Sequence, residues 1–217
     1  MNDPLVVKQL ISDELSLDGH GVQNMATFLS TWMEPAAEEL IKENLFKNLA
    51  DKVFHFNAKS NSKDEYPQML EIQDRCVNML SNLFHGPKHN GGTGTSCAGS
   101  SEALMISCLS HKFVWRNKRK AEGKDHSKPN MVFGNNAQVV IEKFCRYFDV
   151  EPRMIPVSEE SRHVMDPKEA IKQVDENTIC VVAILGSTYT GQMENVELMS
   201  NLLDELHKKT VTICLKC

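Results

Sequence analysis

The chain has 217 residues, 41% of them hydrophobic and 24% charged, with a formal net charge of −5, a soluble globular composition with room for one large domain or one and a half ordinary ones. No apolar run reaches the ~18 residues of a membrane span, and the acidic balance argues against a nucleic-acid surface, which needs clustered Lys and Arg. The N-terminus, Met1-Asn-Asp-Pro-Leu-Val-Val-Lys8, has neither the basic start nor the apolar centre of a signal peptide, so a cytoplasmic location is expected.

Residues 35–50 read as an amphipathic helix with Pro35 at its first position. Residues 53–63 break that pattern and read as an exposed loop. A second helix covers 66–85, with Met69, Ile72, Cys76, Met79, Leu80 and Leu83 on one face, and Pro87 to Gly92 is a turn region. The stretch Gly94-Thr-Ser-Cys-Ala-Gly99-Ser100-Ser101-Glu102 is small and polar, then tips into a long helix over 101–121 that ends at Gly123. The basic cluster Arg116-Asn-Lys-Arg-Lys120 lies in its last turns, where it suits the helix dipole as a solvated face.

From there strands and helices alternate. Asn130-Met-Val-Phe133 is a short apolar strand, Gln138 to Tyr147 a helix, and Arg153 to Val157 a strand. Asp166-Pro167-Lys-Glu169 starts another helix with an Asp cap and a Pro at the first position. Thr178 to Leu185 is continuously apolar, as a parallel strand buried on both faces should be. Gly186 to Gly191 is a loop, and 194–209 is a final helix. The alternation implies an α/β fold with right-handed crossovers, in which ligands bind beyond the carboxyl ends of the strands. The loops Gly134-Asn-Asn-Ala-Gln138 and Gly186-Ser-Thr188-Tyr-Thr-Gly191 leave such ends and, with the Gly99 motif, make one candidate site.

Seven cysteines, at 76, 97, 108, 145, 180, 214 and 217, are irregularly spaced and mostly sit in apolar runs, so they read as reduced, core-filling thiols. Cys214-Leu-Lys-Cys217 is a lone C-x-x-C with no second ligand pair, so no metal is expected.

Gly94-x4-Gly99-Ser100-Ser101 resembles a nucleotide P-loop except that Ser100 replaces the phosphate-neutralising Lys. A dinucleotide fingerprint fails because Cys97 stands where its third Gly belongs. Two hydroxyls and the free N–H groups of a helix N-terminus suit a single phosphate monoester. On the motif alone, a plain Ser N-cap with Glu102 in the first turn explains it equally well.

Gly99-Ser-Ser-Glu-Ala103, Asp175-Glu-Asn-Thr-Ile179 and Gly186-Ser-Thr-Tyr-Thr-Gly191 resemble the front half of the glutamate decarboxylases. So do Asp13-Glu-Leu-Ser-Leu-Asp-Gly19, Thr31-Trp-Met-Glu-Pro35, Arg75-Cys-Val-Asn-Met79 and Glu142-Lys-Phe-Cys-Arg-Tyr147. That family belongs to the group II pyridoxal-phosphate-dependent decarboxylases, with the type I, aspartate-aminotransferase-like fold. The resemblance runs over about 8–52 and 64–209. It implies an N-terminal helical dimerisation segment over 1–63, the front half of the cofactor-binding large domain over 64–210, and a non-matching tail over 211–217.

The resemblance also implies roles. Ser100 and Ser101 would hold the phosphate of pyridoxal 5′-phosphate, Gln138 would pack over its ring, and Thr188 would lie beside cofactor and substrate. Thr27 and Phe28, with Asn48 and Asp51, would line the substrate pocket across a dimer interface, making a homo-oligomer. Taken singly, Thr27 reads as an ordinary helix residue, Gln138 as a first-turn polar residue and Asp51 as a solvated acid. The implied reaction is decarboxylation of L-glutamate to 4-aminobutanoate and CO2.

The chain departs from the family in two places. The Schiff-base Lys and the Asp that pairs with the pyridine nitrogen belong to a region matched by nothing up to Cys217, and Lys216 is in the wrong context to serve. Residues 53–63 interrupt a segment that is continuous in the family. The chain alone is therefore expected to be inactive and to expose a strand edge and apolar faces. The alternative role is a non-catalytic fragment that associates with a full-length homologue.

Overall fold

The computed structural model describes residues 3–19, 33–44, 67–86 and 94–210, which fall into two compact units, Met1–Met69 and Leu70–Cys217. The loop expected over 53–63, the turn from Pro87 to Gly92 and the tail over 211–217 lie outside the described residues.

In the first unit, Pro4–Leu15 forms helix α1. Its signal in the sequence is local. Asp3 caps the helix by accepting from the Leu5 N–H at 2.9 Å, and Pro4 occupies the first position, where a missing N–H goes unnoticed. None of its residues is buried, and Leu5, Leu10 and Leu15 are all more than half exposed. Helix α2 spans Pro35–Glu43; of the helix expected over 35–50, residues 45–50 lie outside the described residues. Asn44 leaves helical geometry, and its side-chain amide donates to the Leu40 carbonyl at 2.7 Å, satisfying one of the terminal carbonyls.

In the second unit, helix α3 (Pro67–Leu83) turns its expected apolar face outward: Ile72, Met79, Leu80 and Leu83 are each more than half exposed. The packed line is Gln73 and Val77 instead. Ser96 Oγ donates to Gln73 Oε1 at 2.7 Å, and a Cβ on Gly94 would come within 3.2 Å of Val77 Cγ1. Spacing marks which residues share a helix face; it does not say what covers that face.

Helix α4 (Ser100–Ala121) starts from Gly99 and ends with Lys118, Arg119 and Lys120 in its last turn. Gly123, at φ 67°, supplies the left-handed residue that stops it. The basic cluster is taken up locally: Arg116 stacks 4.4 Å from the centre of the Phe113 ring, and Arg119 Nε donates to the Asp125 carbonyl at 2.6 Å.

Three parallel strands follow, β1 (Asn130–Gly134), β2 (Glu151–Ile155) and β3 (Thr178–Val181), in the order β2-β1-β3. Helix α5 (Val140–Tyr147) connects β1 to β2, α6 (Pro167–Lys172) connects β2 to β3, and α7 (Val196–Thr210) follows β3. Alternate residues of β1 point to opposite faces. Met131 and Phe133 pack with Phe144 of α5 and Trp115 of α4, whereas Val132 packs with Ala170 of α6 and Leu203 of α7. Helices thus cover both faces, as a parallel sheet requires.

Strand boundaries differ from the sequence reading for identifiable reasons. Asp149, at φ 50°, turns the chain sharply after α5, so β2 begins two residues earlier than Arg153. β3 stops at Val181 rather than Leu185. The Val182 N–H still donates to the Val132 carbonyl at 2.9 Å, but the Ile184 N–H is taken by the Glu194 side chain. An open edge was expected at the end of the sheet. β2 and β3 are the outer strands; the residues of β3 are nevertheless all buried, and exposed apolar residues lie on α1, α3 and α4 and, after β3, at Leu185, Tyr189 and Met193.

At the N-terminal end of the strands, Asp175 joins all three. Its Oδ1 accepts from Asn130 Nδ2 at 2.9 Å and from the Asn177 N–H at 2.8 Å, while its Oδ2 pairs with Arg153 at 2.8 Å. Thr178 Oγ1 donates to Asn130 Oδ1 at 2.7 Å. Burial pushes the Asp175 carboxyl upward, but the hydrogen bonds from Asn130 and Asn177 and the Arg153 guanidinium outweigh it, leaving the group below its ordinary value.

A carboxyl lowered by folding stabilises the protein above its unfolded value and loses that contribution as pH falls through the folded one. Asp175→Asn should therefore lower stability by about 1–2 kcal/mol at neutral pH. The gap from wild type should close below about pH 4, as read by urea denaturation across pH. A second expectation concerns Cys145, whose thiol is pushed up to about 12 by burial and by the neighbouring Cys108 and Glu142. It should resist a disulfide reagent at pH 8 in the folded chain, where exposed Cys76 reacts at once, and become reactive only on unfolding.

Candidate functional site

The chain leaves β1 at Gly134 and β3 at Val181, so both following loops lie at the carboxyl edge of the sheet. Helix α4 runs back from that edge, because Trp115, toward its far end, donates its indole N–H to the Glu176 carbonyl at 2.9 Å, just before β3 begins. Fifteen residues of helix separate Trp115 from Ser100, about 22 Å of rise, which carries the α4 N-terminus to the carboxyl side.

There Gly99 is the N-cap, with φ −179° and ψ 173°, an extended conformation open to any residue. The Ser N-cap that the motif allowed is thus not what forms; Ser100 and Ser101 are the first two helical residues. Nothing lies within 4 Å of where a Gly99 Cβ would project, so the glycine leaves free space in front of the helix end. Both Ser100 and Ser101 are exposed, and neither hydroxyl has a partner among the described residues. Glu102 bends back so that its Oε2 accepts from the Ala98 N–H at 2.6 Å, and the Ser100 and Ser101 N–H groups, in the first turn, have no carbonyl of their own helix to bond. Two hydroxyls, forward-facing amides and room for close approach fit a phosphate monoester.

Gln138 sits at the end of the loop after β1. Its Oε1 accepts from the Val140 N–H at 2.6 Å and its carbonyl accepts from the Ile141 N–H at 3.0 Å. The helix was expected to begin at Gln138; it begins two residues later, at Val140, after the N-cap Val139, and the Gln138 amide oxygen takes up its first N–H. Thr188 is exposed in a tight turn in which the Gly191 N–H donates to the Ser187 carbonyl at 2.8 Å. Gly186 at φ 94° and Gly191 at φ 67° hold it in left-handed conformations that a side chain would strain. Thr27, Phe28, Asn48 and Asp51 lie outside the described residues.

One residue that the sequence reading passed over links two of these loops. Glu194 is 5% exposed. Its Oε1 accepts from Asn136 Nδ2 at 3.0 Å and from the Met165 N–H at 3.2 Å, and its Oε2 accepts from the Ile184 N–H at 2.9 Å. The available signal was an acid one residue ahead of a better helix cap, Asn195, which accepts from the Leu198 N–H at 2.9 Å. Among the described residues, no cluster of His, Cys, Asp and Glu is placed to hold a metal ion, and no helix is long and apolar enough to cross a membrane.

A parallel sheet covered by helices on both faces, with two loops leaving its carboxyl edge, defines an α/β domain. Residues 2–212 match the family model described as the pyridoxal-dependent decarboxylase conserved domain, and the chain belongs to that family. It is 49% identical to a glutamate decarboxylase from Solanum lycopersicum over 204 residues, 93% of this chain and 38% of that protein. It is 45% identical to a glutamate decarboxylase from Saccharomyces cerevisiae, covering 32% of that protein. The chain thus spans between 32% and 38% of the length of these relatives. The solved glutamate decarboxylase of Lactobacillus brevis superposes with a TM-score of 0.84 at 36% identity, covering all of this chain and 47% of that one. A sphingosine-1-phosphate lyase from Burkholderia pseudomallei, at 19% identity and a TM-score of 0.62, shares the fold, which is aspartate-aminotransferase-like.

Because the Gln138 side chain accepts from the first N–H of α5, Gln138→Ala should lower stability by about 1 kcal/mol, and Gln138→Asn should restore part of it. Thermal denaturation of the three proteins measures both.

Proposed function

We propose that this chain is the front portion of a pyridoxal-phosphate-dependent glutamate decarboxylase, forming 4-aminobutanoate and CO2 from L-glutamate. The observation that carries the reading is the open, forward-facing N-terminus of α4, with the Ser100 and Ser101 hydroxyls and the space above Gly99, inside a chain 49% identical to a glutamate decarboxylase.

In this reading Ser100, Ser101 and the first amides of α4 hold the phosphate and fix the cofactor's position in the plane of the sheet edge. Gln138 lies under or over the ring, its side chain already immobilised on the Val140 N–H. Thr188, on a turn stiffened by two left-handed glycines, faces the reacting end. The bound cofactor supplies an electron sink for the bond that loses CO2; the chain's own residues supply position and exclude water. Thr27, Phe28, Asn48 and Asp51 are proposed to line the substrate pocket, with a homo-oligomer in the cytoplasm as the working form.

The chain spans 38% of the tomato relative, so these 217 residues are expected to bind the cofactor without turning substrate over. The exposed apolar residues of α1 favour a second reading, a non-catalytic fragment that associates with a full-length homologue. Co-expression followed by pull-down of an intact glutamate decarboxylase tests it.

The primary test is equilibrium dialysis of the whole chain. Pyridoxal 5′-phosphate should be retained and pyridoxal, lacking the phosphate, should not. Replacing both Ser100 and Ser101 by Ala should weaken retention by roughly tenfold or more with little change in thermal stability, since both side chains are exposed. Equal retention of the two ligands would overturn the reading, and CO2 release from L-glutamate by the chain alone would overturn the assignment of turnover to additional residues.

A further inference from the structure

We infer that Glu194 is a positioning residue that sets the loop carrying Gln138 against the loop carrying Thr188. The inference rests on the proposed function for what those loops hold, but its geometry stands separately. The three donors on the Glu194 carboxyl come from three segments: Asn136 Nδ2 from the loop after β1, the Met165 N–H from the segment before α6, and the Ile184 N–H from the chain leaving β3. The Glu194 N–H also donates to the Ile184 carbonyl at 2.9 Å, closing the Thr188 turn. A single buried side chain thereby joins the side-chain amide two residues before Gln138 to the backbone four residues before Thr188.

Two details show that the arrangement is specific. A Cβ on Gly134 would lie 2.3 Å from Asn136 Oδ1, so the Asn136 side chain folds back over a glycine that must have none. Asn136 Oδ1 is itself buried without a hydrogen-bond partner among the described residues, a state that opposes folding. Asn136 is thus held where its Nδ2 reaches Glu194 even though its oxygen goes unsatisfied. A residue kept only for stability would be better replaced by an apolar one.

Glu194→Gln tests this at constant size. One end of the new amide is a donor, so either the Ile184 N–H or both the Asn136 and Met165 donors must face another N–H. Hydrogen exchange on the full chain should then be about tenfold faster at the Ile184 or Met165 amide and at Ala137 and Gly191, with the Val182 amide in the sheet unchanged. Asp175→Asn, which loosens the opposite end of the strands, should leave the two loops as they are. Asn136→Ala, which removes only one arm, should speed exchange at Ala137 without lowering thermal stability, while Ile184 stays protected. Uniform acceleration across the chain in Glu194→Gln, or unchanged loops, would overturn the inference. Glu194→Gln and Asn136→Ala dialysed against pyridoxal 5′-phosphate should retain it less well, and Asp175→Asn should retain it as wild type does. If wild type retains none, the functional reading fails, and the exchange pattern alone decides the role of Glu194.

Discussion

No residue of β1 sees water, from Asn130 to Gly134. A strand in that position must have both backbone edges bonded and both side-chain faces packed, or strand its polar groups at a cost that burial cannot offset. The rest of the second unit follows from meeting that demand. β2 and β3 flank it, α4 and α5 cover one face, and α6 and α7 cover the other. The demand is sharpest at the two strand ends, where the ladder stops and the backbone is still buried. At the N-terminal end Asn130, Asp175 and Thr178 satisfy it with one another. At the carboxyl end the Glu194 carboxyl satisfies it with donors from three loops. The two ends carry different duties: one closes the sheet, the other presents the residues proposed to meet the cofactor.

Much of this was legible in the sequence because burial on both faces leaves a continuous apolar run. Asn130–Phe133 and Thr178–Val181 stand out for that reason, and Asp166-Pro167 announces α6 through its cap. Where one side chain decides a boundary, the sequence pattern misleads. Residues 182–185 are apolar enough to extend β3, yet Glu194, ten residues downstream of Ile184, withdraws its backbone from the ladder. The apolar stripe of α3 was read correctly as a shared face, but the packed contact is the adjoining line of Gln73 and Val77. α1 escaped notice because its amphipathic character is weak and its clearest sign is a two-residue cap.

The candidate site was legible unevenly. At Ser100 and Ser101 the motif alone left a monophosphate and a plain helix cap equally open, and the phosphate role came from the family resemblance; the structure leaves open space in front of Gly99. Gln138 was expected to act through its side chain on a ring, and its amide oxygen in fact secures the start of α5. The two roles are compatible, since a capped amide is a plane already held still. Glu194 and Asn136 were invisible as a pair, being 58 residues apart in sequence and joined by a hydrogen bond that shows only in three dimensions.

Pro152 lies within β2, on the outer strand, opposite Met131 of β1. It has no N–H to offer, and Glu151 and Arg153 on either side are charged. An outer strand of this kind cannot template the addition of another chain. On this side the sheet is accordingly closed to growth by strand addition, and association there would have to use side chains rather than backbone.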